Sequence, residues 1–373
     1  MALKPSDNWM GCLQEVKKPF FIFILIIFLS PPSSLFAKTS KVNITVMAYN
    51  VENLFDAIDD GPKQEDITFL PMEIKKTWPK DKCLEKAIPY RKMCQTLDWT
   101  EEKYQLKLKK IAQVLLDYND SKGADIISLE ELENKRVIRD LWQQYLKPRG
   151  YLAPIHFESE GGRGIEVGML SRFPLAAPPK VHPIDLSGTL DHPTRDILEV
   201  RFSLPLGQEL RVTANHWPSQ NNSSDARLRA AEVLKEIANE AKEDGVLFVG
   251  MGDFNTLPSE TPNPIADNIA DNTLRNLVRP LVDMQSFMGL PTPFPAGSYF
   301  YKKAWQPLDR FLVSKNLFKG TSPVPANNIE FEIFSPSYLF TEQNIPFRFN
   351  FHTGEGYSDH LPIVLKLTET VEN

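Results

Sequence analysis

Leu247-Phe248-Val249-Gly250-Met251-Gly252-Asp253-Phe254-Asn255 decides how this chain is read. Residues 247–249 are apolar and read as the end of a buried strand. Gly250 and Gly252 relieve the backbone beyond it, so that Asp253 and Asn255 can project from the strand end. A carboxylate and a carboxamide two positions apart are costly to bury and pack poorly. Their natural use is to hold a water or a phosphate. Gly-Asp-x-Asn is also a good turn sequence, so the surrounding chain has to decide between the two readings.

Outward from that stretch one pattern recurs, an apolar run followed by polar residues. Residues 42–49 read as a first strand that delivers Asn50-Val51-Glu52-Asn53-Leu54-Phe55-Asp56, and residues 125–129 empty into Glu130-Glu131. Strands follow over 167–170 and over 197–202, the latter after Thr194-Arg195-Asp196. Residues 210–214 deliver Asn215-His216-Trp217-Pro218-Ser219, while 308–313 and 361–367 carry Asp309 and Asp359-His360 near their starts. One helix begins after Thr100, with Glu101 and Glu102 where negative charge suits the dipole and Tyr104, Leu108, Ile111 and Leu115 as its apolar stripe. A second helix covers about 224–239. Two stacked sheets with helices outside would bury these strands and gather their ends. The expected architecture is therefore two stacked sheets with helices outside. Residues 42–368 are expected to form one domain, although a length of 373 residues alone suggests two. Residues 59–99, with four prolines and two cysteines, read as a loop-rich insert.

Apolar content of 42% and charged content of 24% suit a globular protein with a large core. Lys17 and Lys18 precede an apolar run over 20–29, then Pro31, Pro32 and small residues up to Ala37. This is the layout of a secretory signal, and the run is short for a membrane span. Residues 1–37 are expected to be that signal, with Met10 an alternative start and an uncleaved membrane anchor the alternative reading, and the mature protein to be secreted or periplasmic, without stable membrane association, and monomeric. Removing them takes away Lys4, Asp7, Glu15, Lys17 and Lys18, so the formal net charge moves from −6 to −7. An acidic protein is not a strong general polyanion binder. Cys12 leaves with the signal, and Cys83 and Cys94 remain as an even pair in an exported chain, for which a disulfide is the economical reading. Between residues 73 and 110 eleven Lys/Arg face six acids. That run reads either as a strip for a nucleic-acid backbone or as a solvated face.

Tyr49-Asn50-Val51-Glu52, Leu129-Glu130-Glu131, Asn215-His216-Trp217-Pro218-Ser219, Gly252-Asp253-Phe254-Asn255, Leu308-Asp309-Arg310 and Ser358-Asp359-His360-Leu361-Pro362 occur in this order. Together they resemble the endonuclease/exonuclease/phosphatase superfamily, which includes pancreatic-type deoxyribonucleases, abasic-site endonucleases, sphingomyelinases and inositol polyphosphate phosphatases. Single motifs of this kind are weak, but six in order, each after a plausible strand, are specific. The resemblance implies an α/β fold, a four-layer sandwich of two packed, mainly antiparallel β-sheets flanked by helices, and hydrolysis of a phosphate ester with a divalent metal. Physical chemistry asks for the same parts: a cation to neutralise developing charge and a base to ready the water.

By that resemblance, Glu131 matches the principal metal ligand, and Asn50, Glu52 and Asp359 match positions that complete or adjoin the metal site. Oxygen ligands without a Cys/His cluster select Mg²⁺, or Mn²⁺, over zinc. Asp253 would orient and deprotonate the attacking water, with Asn255 bonding the phosphate or that water. His360 would donate to a phosphate oxygen while Asp309 fixes its tautomer, and His216 would contact the phosphate. Arg163, Arg195 and Asn215 are read as substrate-side residues. Glu130 departs from the family, which often has Gln there, and adds negative charge. The motifs at Asn50 and Asn215 look more like exported bacterial nuclease-type members than inositol phosphatases. The expected function is an exported Mg²⁺-dependent phosphodiesterase, a nuclease in the first place. A phospholipid or sphingomyelin phosphodiesterase, with Tyr299, Phe300, Tyr301 and Trp305 towards lipid, is the alternative. A non-catalytic binding protein on the same scaffold is the alternative of another class.

Overall fold

Alternation along the first strand sets the layers. In β1 (Thr39–Leu54), Ile44, Val46 and Ala48 face one apolar cluster, while Met47, Tyr49 and Val51 face another. A strand buried on both faces needs cover on both. The computed structural model describes residues 39–372 except 62–65, 80, 87, 160–163, 191, 272–273, 275–277, 289–293 and 319–328. The expected signal segment 1–37 and Arg163 lie outside the described residues.

The strands that follow are β2 (Ile126–Leu132), β3 (Ile155–His156), β4 (Glu166–Ser171), β5 (Lys180–His182), β6 (Ile197–Ser203), β7 (Glu209–His216) and β8 (Leu247–Asp253). Then come β9 (Ala270–Asp271), β10 (Leu281–Asp283), the hairpin β11 (Tyr299–Tyr301) and β12 (Ala304–Gln306), β13 (Asp309–Ser314), β14 (Glu330–Ile333) and β15 (Ile363–Glu372). One sheet has the order β14-β15-β1-β2-β4-β3 and the other β5-β6-β7-β8-β13-β10-β9. Among the described residues only β1–β2, β7–β8 and β9–β10 pair in parallel. The sheets are thus mainly antiparallel, as the sequence led us to expect.

Between the sheets lies a core of Val46, Met169, Val200, Val212, Val249, Phe311 and Leu365 with their neighbours. In chain order the helices are α1 (Met72–Lys75), α2 (Ile88–Thr96), α3 (Glu101–Ser121), α4 (Lys135–Leu141), α5 (Ser224–Glu243) and α6 (Met284–Met288). Helix α3 covers the outer face of the six-stranded sheet with Tyr104, Leu108, Ile111 and Leu115, the stripe read from the sequence. Helix α5 covers the other sheet with Ala226, Ala230, Ala231, Ala238 and Ala241 around Leu234 and Ile237, and its small side chains allow close approach to the strands. The result is the four-layer sandwich. Thr39–Asn373 form one compact unit.

The insert is more ordered than expected. Beyond α1 and α2 it holds short 3₁₀ turns at Asp66–Thr68 and Lys82–Glu85, and Phe69 and Trp99 pack with Phe55 and Phe351 in the outer core. Pro71 stands at the N-cap of α1, where a missing N–H costs nothing. Cys83 and Cys94 are joined in a disulfide, with Cα atoms 5.8 Å apart. The basic run does not form one strip towards substrate: Lys75, Lys86 and Lys107 are buried. The Lys75 ammonium donates to Thr68 O and Leu97 O at 2.7 Å, which uses it to close the insert on itself. Among the described residues no helix is long and apolar enough to cross a membrane.

Candidate active site

Register alone assembles most of the site. Across β7–β8 and β8–β13, Asp253 stands opposite both His216 and Asp309, and on β1–β2 Asn50 stands opposite Glu130. His360 precedes β15 and bridges to Tyr299 at the foot of the β11–β12 hairpin. Every one of these positions lies at the same end of the sandwich, because β13 and β15 run antiparallel to β8 and β1 and contribute their first residues rather than their last. Several of them leave regular strand geometry: Glu52, Asn53, Glu131 and Asn255 have φ of 54°, 54°, 67° and 48°. Left-handed backbone in non-glycine residues costs about 1–3 kcal/mol each and gathers at functional sites. Here it turns the carboxylates and amides out of the strands.

The site straddles both sheets. Asn50 Nδ2, from the six-stranded sheet, donates to Asp253 Oδ2 of the other at 3.3 Å. His216 Nε2 lies 3.7 Å from Asp253 Oδ2 and 3.8 Å from Glu131 Oε1. His360 Nδ1 meets Asp309 Oδ2 at 2.7 Å, and the Asp309 N–H donates to Ser298 Oγ at 3.2 Å. Asn255 N–H donates to Asp253 Oδ1 at 2.9 Å, and its side-chain amide donates to Trp217 O at 3.1 Å. Ser358 Oγ donates to Asn50 O at 2.7 Å, which ties the segment before β15 to β1.

Above these groups opens a cleft of about 600 Å³. Glu131, His216, Asp253, Asn255, Asp359 and His360 line it, together with Asn53, Ser219, Gln220, Asn221, Tyr90, Tyr299, Tyr301, Lys302 and Arg348. Other residues read from the sequence stand elsewhere. Asn215 is fully buried, with its amide on Thr213 O, Thr213 Oγ1 and Met251 O and its carbonyl oxygen taking Trp217 Nε1–H, so it holds the Trp217 turn instead of facing the cleft. Arg195 is buried and does not line the cleft. Glu52 sits behind it, 1% exposed, where its oxygens accept from Arg348 Nε and from Phe349 N–H.

Burial, then the Asp309 charge, pushes Asp253 up to about 7, against the pull of His360. Burial alone would lower His360, but Asp309 outweighs it and holds the imidazole well above its usual value, charged at neutral pH. Burial and then Asp359 push Glu52 up to about 8, opposed by Arg348 and Lys107. Glu130 corrects an expectation. Fully buried and bonded by Ser128 Oγ at 2.5 Å, it is driven well above the carboxylate range by desolvation. That burial favours the neutral form, which is close in shape to the amide of Gln.

Two cations escaped sequence reasoning. Lys107 is fully buried in α3, with its ammonium on Glu52 O and over the rings of Phe349 and Phe351 at 4.7 and 4.3 Å. Burial lowers it to about 8 against the raising pull of Glu52. Its signal was a lysine within the apolar stripe between Tyr104 and Ile111. Arg348, whose side chain is 63% exposed, reaches Glu52 and lies 3.6 Å from Asp359 Oδ2.

The raised groups give a stability prediction for the metal-free protein. Unfolded carboxyls titrate near about 4, so the stability tied to Asp253 and Glu52 is fully present below that value and is lost as pH rises through about 7 to 8. His360 has the same sign. Lys107 has the opposite sign, but only above about 8, since below that it is charged in both states. In chelator, calorimetry should therefore find a higher melting temperature near about pH 5.5 than near about pH 8, and Mg²⁺ should raise it more at the higher pH. A Mg²⁺ effect independent of pH would contradict this account of the carboxylates.

The two-sheet α/β sandwich and its acid- and histidine-lined cleft suit a hydrolase. The chain belongs to the Endonuclease/Exonuclease/phosphatase family, whose features match residues 92–369. Among solved structures it is similar to truncated TDP2 from Caenorhabditis elegans, at 14% identity, covering 87% of this chain and 97% of that one, with a TM-score of 0.51. It is also similar to a mannosyl-6-phosphatase from Bacteroides thetaiotaomicron, at 14% identity, 87% and 99% coverage and a TM-score of 0.50. The human Nocturnin catalytic domain with bound sulfate gives 16% identity, 90% and 97% coverage and a TM-score of 0.50. At these identities the likeness is one of fold. No curated protein sequence gives a significant match.

The donor set fits the divalent metal that the family implies. Glu131 and Asp359 open to the cleft with side chains 17% and 20% exposed, and Asn50 stands beside Asp253. All offer hard oxygens, which suit Mg²⁺ or Mn²⁺.

Proposed function

We propose that this protein is an exported, Mg²⁺-dependent phosphodiesterase that hydrolyses nucleic acid through attack of water at phosphorus. The observation that carries the reading is Asp253, held between a charged His360–Asp309 pair and Glu131 at the floor of an open polar cleft. Asp253, with a proton affinity near neutrality, is suited to accept the proton of the attacking water. His360, locked by Asp309 with Nε2 towards the cleft, donates to a non-bridging phosphate oxygen as charge builds there. Asn255 and His216 hold the phosphate from the β8 and β7 ends, and Arg348 reaches it from the opposite wall. Glu131, with Asp359 and Asn50, would hold the metal, which supplies charge neutralisation on the phosphate.

Nucleic acid is favoured over lipid by the cleft wall. Tyr299 and Tyr301 stack with centroids 6.2 Å apart, and Tyr299 lies over His360 at 4.6 Å, which supports a platform for a base beside the phosphate. Phe300 and Trp305 pack on each other at 5.3 Å, so they are spent on the hairpin rather than offered to a bilayer. The disulfide of Cys83 and Cys94 supports export. The purified protein with Mg²⁺ should cleave plasmid DNA or RNA and leave sphingomyelin and an inositol polyphosphate intact. Excess chelator should abolish the cleavage, and Mg²⁺ or Mn²⁺ should restore it. Turnover of sphingomyelin alone would move the reading to lipid, and full activity in chelator would remove the metal from it.

A further inference from the structure

Below the cleft, the segments leaving β1 and β2 run side by side and are tied twice in the same way. Asn53 N–H donates to Glu131 Oε2 at 2.9 Å, and Asp56 N–H to Glu133 Oε2 at 2.8 Å. The second tie lies in a knot of acids that the proposed chemistry does not use. Asp56, Asp66 and Glu133 are each 1% exposed, and Asp60, with its side chain 26% exposed, closes the knot on the solvent side. One oxygen from each of Asp56, Asp60 and Glu133 lies within 4.8 Å of the others. Oxygens bound to a single Ca²⁺ at about 2.4 Å stand at most about 4.8 Å apart, so this spread is that of one coordination shell.

Protein charge leaves the knot unbalanced. Arg136 gives it one guanidinium, with Nε on Asp56 Oδ2 at 2.5 Å and Nη2 on both oxygens of Asp60 at 2.8 Å. Two oxygens then remain buried without a hydrogen bond, Glu133 Oε1 and Asp66 Oδ1. The other oxygen of Asp66 takes the Asp60 N–H at 2.9 Å, which turns this carboxyl towards the loop that carries Asp60. Burial, then the charges of Asp59, Asp60 and Asp56, push Asp66 up to about 7 despite that bond. Buried carboxylate oxygens with no donor are costly, and a cation among them removes the cost.

We propose that Asp56, Asp60, Asp66 and Glu133 bind a divalent cation at a site separate from that of Glu131. The donors are all oxygens and mostly carboxylates, which favours Ca²⁺ with its larger, more flexible shell over Mg²⁺. Bound there, the ion clamps residues 56–60 to the head of α4, where Asn134 already joins Asp60 by Nδ2 to Oδ2 at 2.7 Å.

The test uses the full chain carrying Glu131→Gln, stripped of metal, so that the cleft does not answer for the knot. Ca²⁺ should raise its melting temperature. Tb³⁺ should emit on tryptophan excitation and be displaced by Ca²⁺, because Trp99 Nε1–H donates to Phe55 O, next to Asp56, at 3.1 Å. Adding Glu133→Gln or Asp60→Asn should weaken both responses at least about ten-fold, as expected on losing a ligand or its support. Asp60 is the exposed member, so its variant keeps the test open if Glu133→Gln does not fold. Absence of both responses in the Glu131→Gln chain, or their full retention in either folded double variant, would overturn the site.

Discussion

Asp253→Ala and His360→Ala should each lower turnover of the phosphodiester substrate by about 10²- to 10⁴-fold, the usual cost of removing a general base or an oxyanion donor. The two losses should differ in their pH dependence. Asp253, pushed up to about 7, must lose its proton to work, so wild-type kcat/KM should climb through the neutral range and Asp253→Ala should flatten that limb. His360, held charged by Asp309 at 2.7 Å, should supply no falling limb in this range, and Asp309→Asn should create one by letting the imidazole lose its proton closer to its ordinary value. Retention by either alanine variant of more than about a tenth of the wild-type rate would sink the assignment.

Gly252→Ala should cost about 3 to 5 kcal/mol and take most of the activity with it. Gly252 has φ of +123°, and a Cβ placed there would lie 2.1 Å from Asn215 O and 2.9 Å from Glu130 Oε1. The first contact is with backbone of the neighbouring parallel strand, so relief requires β7 and β8 to part just where His216 and Asp253 face each other. Gly250→Ala is the control. Its Cβ would meet Thr213 Oγ1 at 3.3 Å, a contact a side chain can ease. Urea denaturation of both variants separates them, and a Gly252→Ala protein as stable as Gly250→Ala would mean that the register described for β7 and β8 is wrong.

The strands were legible because each is an apolar run closed by polar residues, and the order of those closures brought Glu131, Asp253, Asp309, Asp359 and His360 together on paper. What the pattern could not carry was direction and depth. Asn215 looked like its neighbour His216, but successive strand residues point to opposite faces, and its amide turns inward. Glu130 looked like an added charge, since sequence does not report desolvation. Arg348 lies 296 positions from Glu52 in a stretch without apolar periodicity. It reaches the site because the loop around it folds back through the Asn350 carboxamide and through Gly356, where a Cβ would strike Arg348 O. The basic run misled for a related reason: Lys75 and Lys107 have long apolar stems that allow burial when carbonyl oxygens wait at the tip.

The Asn50–Asp253 bond spans the gap between the two sheets, and so does the His216–Glu131 approach. Each half of the proposed catalytic apparatus is therefore mounted on a separate plate, and the apolar layer between the plates acts as the fixture that keeps them aligned. A misplacement of about 1 Å can cost about 10²-fold in rate. Repacking Val249, Phe311 or Val46, none of which touches the cleft, should thus detune the enzyme well before it unfolds it. The apolar interior thus sets how accurately the two halves of the cleft face each other.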